Sequence, residues 1–247
     1  MSRRWGIVPA AGLGTRIQPL AFSKELLPVG TRRDGDKEQP RAVSEYLIER
    51  MLDAGVTRFC FVISPAKTDI MNYFGSQIGA ASICYAIQSN PNGLCDALFT
   101  ALPFIAPQDE VLVGLPDTIW FPTAGFAFLP DDQFSFLLFP VAQPELFDAV
   151  ITDDAGSVQE IQVKQQAPRS RWIWGAFKLP GRELATLHRL WCERQRSDQY
   201  FGTLVNAYLS QGGAALGIKR GDMYVDVGTM HGYREAVRLL SSSQIAA

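Results

Sequence analysis

Apolar residues in the first half of the chain fall into two alternating patterns. Short continuous apolar runs at residues 5–8, 58–63, 82–87 and 110–114 read as buried strands. Between them apolar positions recur at helical spacing. Residues 42–53 put Val43, Leu47, Ile48, Met51 and Leu52 on one face before Gly55 stops the helix, and residues 67–74 and 94–102 read as two more helices. Strand–helix–strand repetition predicts a parallel sheet with right-handed crossovers. After Pro116 the pattern changes to strand-like pieces at 134–139, 146–151, 157–163 and 172–179, separated by turn residues. Helices at 181–194 and 204–211 follow, then strands at 214–218 and 223–227 and a last helix to about residue 240. The polar run 31–41 predicts an exposed loop, and the tail 241–247 is expected to fray. The apolar stretch 121–129 is a candidate interface for a homo-oligomer.

Composition narrows the picture without supplying chemistry. The 247 residues are 47% hydrophobic and 19% charged, ordinary for a soluble globular protein able to bury a substantial core. A net charge of −2 gives no global attraction to nucleic acid or anionic membranes, so neither is an expected partner and any phosphate site must be local. No run of about 18 apolar residues occurs, and no apolar segment follows Ser2-Arg3-Arg4, so a cytoplasmic location is expected. Cys60, Cys84, Cys95 and Cys192 lack paired C-x-x-C spacing, which points to reduced thiols rather than a zinc site.

The chemistry concentrates after the first strand. Ala10, Ala11, Gly12, Gly14 and Thr15 form a loop of small residues, followed by Arg16 and, eight positions on, Lys24. Small residues let backbone N–H groups approach an anion closely, and the two cations add fixed charge at the same mouth, a composition suited to a polyphosphate. A dinucleotide fingerprint would need glycine where Ile17 stands, and no Gly-Lys-Ser/Thr run exists for a Walker A loop. The whole string resembles the signature of the sugar-nucleotide pyrophosphorylases, G-x-G-T-R followed by P-L and S-K-x-L-L-P, and is most similar to the glucose-1-phosphate thymidylyltransferase branch. Four further stretches carry the likeness in order. They are Gln88 to Ala97 (Q-x-x-P-x-G-L-x-x-A), the apolar strand running to Asp117, the strand running to Lys164, and Tyr224-Val-Asp-Val-Gly-Thr.

The resemblance implies an α/β fold of the nucleotide-diphospho-sugar transferase type, a Rossmann-like, mixed, mostly parallel sheet flanked by helices. It also implies one domain, with a nucleotide part to about residue 117, a sugar part over about 118–227 and a C-terminal helix. The implied reaction is a Mg²⁺-dependent transfer joining dTTP or UTP to a sugar 1-phosphate and releasing pyrophosphate. Arg16 would grip the β- and γ-phosphates, Lys24 would sit near the α-phosphate, and Asp117 and Asp226 would hold the metal. The nucleotide would also meet Ala10, Ala11, Gly12, Gly14, Thr15, Gln88 and Gly93, with Gln88 reading the base. Lys164 and Gly175 would meet the sugar phosphate. Residue by residue, alternatives stay open: strand-end aspartates also cap turns, Gln88 also suits a purely internal hydrogen-bond role, and an isolated lysine such as Lys164 is commonly solvated. The chain departs from the family pattern at Gln162-Val163-Lys164-Gln165, where E-E-K-P is expected, and at Thr118, where asparagine is expected. The changed sugar segment motivates a second reading, a nucleotide-sugar binding or regulatory protein without turnover; a third is a cytidylyltransferase acting on a phosphorylated polyol or amino-alcohol, against which Gln88 speaks. Trp172 and Trp174 are candidates for contacts to an altered sugar.

Overall fold

In the computed structural model, which describes residues 3–90 and 92–244, the predicted buried runs become the spine of the molecule. In chain order the elements begin with β1 (Arg4–Pro9), β2 (Pro28–Asp34), β3 (Lys37–Ala42), α1 (Val43–Asp53), β4 (Arg58–Ile63), α2 (Thr68–Phe74), β5 (Gln77–Ile78) and β6 (Ala81–Ile87). There follow α3 (Leu94–Thr100), β7 (Glu110–Gly114), β8 (Thr118–Phe121), β9 (Ser135–Pro140), β10 (Asp148–Thr152), β11 (Val158–Val163) and β12 (Trp172–Pro180). The chain closes with α4 (Gly181–Glu193), α5 (Phe201–Ser210), β13 (Leu216–Ile218), β14 (Met223–Asp226) and α6 (Met230–Gln244).

Strands β7, β1, β4 and β6 lie side by side and parallel. Because both faces of such a sheet are covered, alternate residues feed two separate cores. Trp5 and Ile7 of β1 join one with α3, α4 and α5, whereas Val8 joins the other with Leu47, Ile48 and Met51 of α1. The second half of the chain extends the sheet antiparallel through β12, β10 and β11, with β9 also pairing β12 and β13 at its side. The β9–β12 register slips at Gly175, where a side chain would lie 2.4 Å from the Tyr224 ring.

Two sequence expectations are corrected. Residues 31–41 are not a loop: β2 and β3 pair antiparallel around Gly35, whose φ of +59° suits the turn. Over residues 31–41 both faces of this ribbon are polar, so that stretch carries no apolar alternation; Arg32–Glu45 and Thr31–Glu38 contacts and the packing of α6 beside it hold it in place. Residues 121–129 do not form an open apolar face, since Phe126 and Leu129 are 2% exposed and belong to the α1-side core; Phe128 alone among the large apolar side chains there is open. The final helix runs on to Gln244, past the expected fraying point, and residues 245–247 lie outside the described residues. Among the described residues no helix is long and apolar enough to cross a membrane.

Strand β8 was not foreseen, and it matters most for the site. Only four residues long, it pairs antiparallel with β14, Thr118 opposite Asp226. A third core of Ile17, Val29, Val43, Ile119, Val225 and Val227 fastens this small ribbon to α6 and the loop after β1.

Candidate active site

The loops after β1, β4, β6 and β7 all leave the carboxyl ends of parallel strands, the edge at which open α/β sheets bind ligands. The loop after β1 is held at its root, where the Ala10 N–H donates to Val62 O at 2.8 Å. Beyond that point it opens to solvent. Among the described residues none of the N–H groups of Gly12, Leu13, Gly14 and Thr15 donates within the protein, and Gly12 has nothing within 4 Å of where a Cβ would stand. Unengaged amides on small residues form a concavity for an anion. Gly14 sits at φ +67°, and a Cβ there would lie 2.9 Å from Cδ of Lys24, so its missing side chain lets the lysine stem pass across the loop.

Lys24 and Arg16 each end on one of the two aspartates. Lys24 Nζ lies 2.5 Å from Asp117 Oδ2, and Arg16 Nη1 lies 2.7 Å from Asp226 Oδ2. Burial pulls the Lys24 ammonium down, but Asp117 and Glu25 outweigh it and hold the group above its ordinary value. Burial likewise pushes the Asp117 carboxyl up, and Lys24 and Arg16 bring it below the usual carboxylate range. The β8–β14 pairing joins the aspartates across more than a hundred residues of chain, and the Val227 N–H donates to Asp117 O at 2.9 Å. At Gly228 the geometry is tightest. A Cβ there would stand 2.7 Å from Asp117 Oδ2 and 2.9 Å from Asp226 Oδ1, so both carboxylates border one small space. Two carboxylates bordering one space offer the hard oxygen donors that a divalent cation such as Mg²⁺ takes.

Three side chains that the sequence reading passed over hold Lys24 in place. Lys67 at the start of α2 donates to both oxygens of Glu25 at 2.8 Å and to Ala10 O at 2.7 Å, tying the residue after Lys24 to the root of the glycine loop. Asp69 accepts from the Ser23 N–H at 2.6 Å and the Ser23 hydroxyl at 2.7 Å, clamping the residue before Lys24. Ser44 donates to Glu25 O at 2.7 Å. A signal existed: Glu25 directly precedes the apolar run Leu-Leu-Pro-Val, and an acid that is 1% exposed needs a buried cation.

At the end of β6, Gln88 is 4% exposed, and its Nε2 donates to Asp96 Oδ2 at 2.7 Å and Gly93 O at 3.2 Å. Asp96 as a carboxylate only accepts, which sets the orientation of the amide. Gly93 has φ +94°, and a Cβ on it would meet Gln199 O at 2.5 Å, so α3 begins against the segment leading into α5. Pro91 of the same motif lies outside the described residues.

Lys164 stands apart from the aspartates, exposed, at φ +48°, with its Nζ donating to Leu146 O at 2.7 Å and lying over the Phe147 ring. A chain of rings connects it to them: Phe147 meets Tyr224 edge-on at 5.7 Å, and Tyr224 is two residues before Asp226. Burial, and then Asp226 and Asp117, push the Tyr224 phenol well above its ordinary value. Gly175 lies directly beneath that ring. The two glutamates expected before Lys164 are absent, and Gln162 in that region accepts from the Arg169 N–H at 2.7 Å, which commits it to the turn 164–169.

The sequence profile of the nucleotidyl transferase family matches residues 5–243. The glucose-1-phosphate thymidylyltransferase of Neisseria meningitidis is 27% identical over 97% of this chain and 83% of its own length. That of Xanthomonas campestris is 26% identical over 99% of this chain and 83% of its own. Among solved structures, UTP-bound UGPase from Acinetobacter baumannii superposes with a TM-score of 0.75 at 20% identity, covering 97% of this chain and 93% of that one.

Proposed function

This chain belongs to the nucleotidyl transferase family, and we propose that its cleft joins dTTP or UTP to a sugar 1-phosphate with release of pyrophosphate. The observation that carries the reading is the space at Gly228, bordered by Asp117, Asp226 and the Arg16 guanidinium, with Lys24 paired to the same Asp117 oxygen that faces it. In such a transfer an oxygen of the sugar phosphate attacks the α-phosphorus in line. The new P–O bond forms as the bond to the β-phosphate oxygen breaks, and the leaving electron pair goes to pyrophosphate. The protein's task is positioning and charge neutralisation.

Each group then has one task. The free amides of residues 12–15 cradle the triphosphate, and Arg16, whose side chain is exposed, binds two oxygens of the β- and γ-phosphates through its planar fork. Lys24, part-buried and held protonated by Asp117 and Glu25, serves the charge that grows at the α-phosphate. Asp117 and Asp226 would hold Mg²⁺, which would supply neutralising positive charge for the transfer. Gln88 discriminates the base: Asp96 and Gly93 take its amide N–H groups, leaving Oε1 to accept from the N3–H of thymine or uracil. Cytosine carries no proton on N3, so this orientation speaks against a cytidylyl donor. Lys164 receives the sugar phosphate at the other end of the Phe147–Tyr224 ring pair.

The test is pyrophosphate release by purified protein with Mg²⁺, each of the common NTPs and dNTPs, and a panel of sugar 1-phosphates. We expect release with dTTP or UTP, abolished by EDTA and restored by Mg²⁺. Absence of release with every pair refutes the reading, and release with CTP alone refutes the assignment of Gln88.

A further inference from the structure

At the end of β6 the backbone of Gln88 is fixed, since its N–H donates to Ile63 O at 2.9 Å. What remains to be set is which way the side-chain amide faces. Nε2 donates to Asp96 Oδ2 at 2.7 Å and to Gly93 O at 3.2 Å, so both of its hydrogens are engaged. Among the described residues nothing donates to Oε1.

The two acceptors do not count equally. Gly93 O also takes the Ala97 N–H at 3.3 Å, so it keeps a partner without Gln88. The Asp96 bond is the shorter of the two, and a hydrogen bond to an ionised acceptor is roughly twice as strong as a neutral one. A carboxylate cannot donate. Turning the Gln88 amide over would set Oε1 against Asp96 Oδ2, two acceptors face to face. Asp96 is itself anchored: its carbonyl accepts from Thr100 Oγ1 at 2.8 Å, and the start of α3 is pinned where the Leu94 N–H donates to Gln199 O at 3.3 Å. In the segment Q-x-x-P-x-G-L-x-x-A, Asp96 occupies one of the unspecified positions.

Resting on the transferase reading above, we propose that Asp96 is the positioning residue that sets the choice of pyrimidine. By accepting from Gln88 it keeps Oε1 toward the base, so the site takes a base that carries a proton on N3 and rejects one whose N3 is an acceptor. Thymine and uracil are of the first kind, cytosine of the second. A carboxamide at position 96 donates as well as accepts, so it would let Gln88 turn over and offer Nε2–H to cytosine N3.

The experiment is calorimetric titration of wild type, Asp96→Asn and Asp96→Gln with dTTP, dCTP, UTP and CTP, in Mg²⁺ and without sugar phosphate. Binding is thus read without turnover. Wild type should hold dTTP or UTP about 100-fold more tightly than the matching cytosine nucleotide. In Asp96→Asn the cytosine nucleotide should gain about tenfold, while dTTP or UTP changes by less than about threefold. The gain is the diagnostic readout, because a residue that only stiffened the loop would, on removal, weaken both nucleotides and tighten neither. Asp96→Gln repeats the test with a longer amide and should show the same direction. Equal weakening of both nucleotides, an unchanged preference, or failure of both variants to fold overturns the proposal, and so does a wild type indifferent to the base. Wild-type protein that binds none of the four nucleotides refutes the transferase reading itself. A wild-type preference for dTTP or UTP that both variants keep leaves that reading standing and removes Asp96 alone.

Discussion

Replacing Lys67 by methionine keeps most of the side-chain volume and removes one charge from beneath the glycine-rich loop. The wild-type ammonium donates to both Glu25 oxygens and to Ala10 O, and Glu25 is 1% exposed. Removing one partner of a buried ion pair costs about 3–5 kcal/mol, because the remaining charge is stranded. Glu25 can escape by taking a proton, and that route sets a ceiling. From an unfolded pKa of about 4.3, keeping the proton costs about 1.4 kcal/mol per pH unit, or about 4 kcal/mol at pH 7 and about 2 kcal/mol at pH 5.5. The orphaned Ala10 carbonyl adds about 1 kcal/mol at either pH. Burial already raises the Glu25 carboxyl, with Lys67 and Lys24 opposing it. A raised folded pKa means stability that is present below the unfolded value and lost as pH rises through the folded one, so the defect must deepen with pH. Urea unfolding of wild type, Lys67→Met, Glu25→Gln and the double variant at pH 5.5, 7 and 8 measures this directly. The double variant should recover most of the loss, since it buries no stranded charge. A Lys67→Met defect under 1 kcal/mol at pH 7, a defect independent of pH, or a double variant no more stable than the single would refute the reasoning. Turnover should also drop in Lys67→Met at pH 7, because Glu25 is the residue that follows Lys24.

Other outcomes follow from the same geometry. Gly228→Ala would drive a methyl between Asp117 and Asp226, so pyrophosphate release should fall at least 100-fold while the unfolding midpoint stays close to wild type; activity within tenfold would separate the carboxylates from the chemistry. Arg16→Ala should lower turnover by about 10²–10³ if the guanidinium steadies the leaving pyrophosphate, and its exposed side chain predicts little change in stability by thermal melting. Gly93→Ala combines an unfavourable φ with a clash against Gln199 O, and should raise the KM for the nucleotide by displacing the start of α3 from Gln88. An unchanged KM would remove Gly93 from the base site.

Much of the architecture was legible because it rests on short-range regularity. Strands 58–63 and 110–114 coincide with β4 and β7, since continuous apolar runs bounded by turns have few alternative structures. Glycine-loop composition suggested an anion site, and the structure leaves the amides of residues 12–15 without protein partners among the described residues. Where local regularity was weak, reading failed: over residues 31–41 the β2–β3 ribbon has two polar faces and therefore no apolar alternation, and β8 is too short to show a period.

The site divides the same way. Residue types at Arg16, Lys24, Asp117 and Asp226 were plain from the chain, and so was the chemistry each could do. Their meeting was not, because the β8–β14 pairing that joins Asp117 to Asp226 acts across more than a hundred residues. Lys67 under Glu25 was likewise invisible until the chain was folded, since a burial partner is defined by space rather than by spacing. Propensity and hydrophobic period act over a few neighbours and so can be read along the chain. Which charges share a cleft is decided by packing, and packing exists only once the chain has closed on itself.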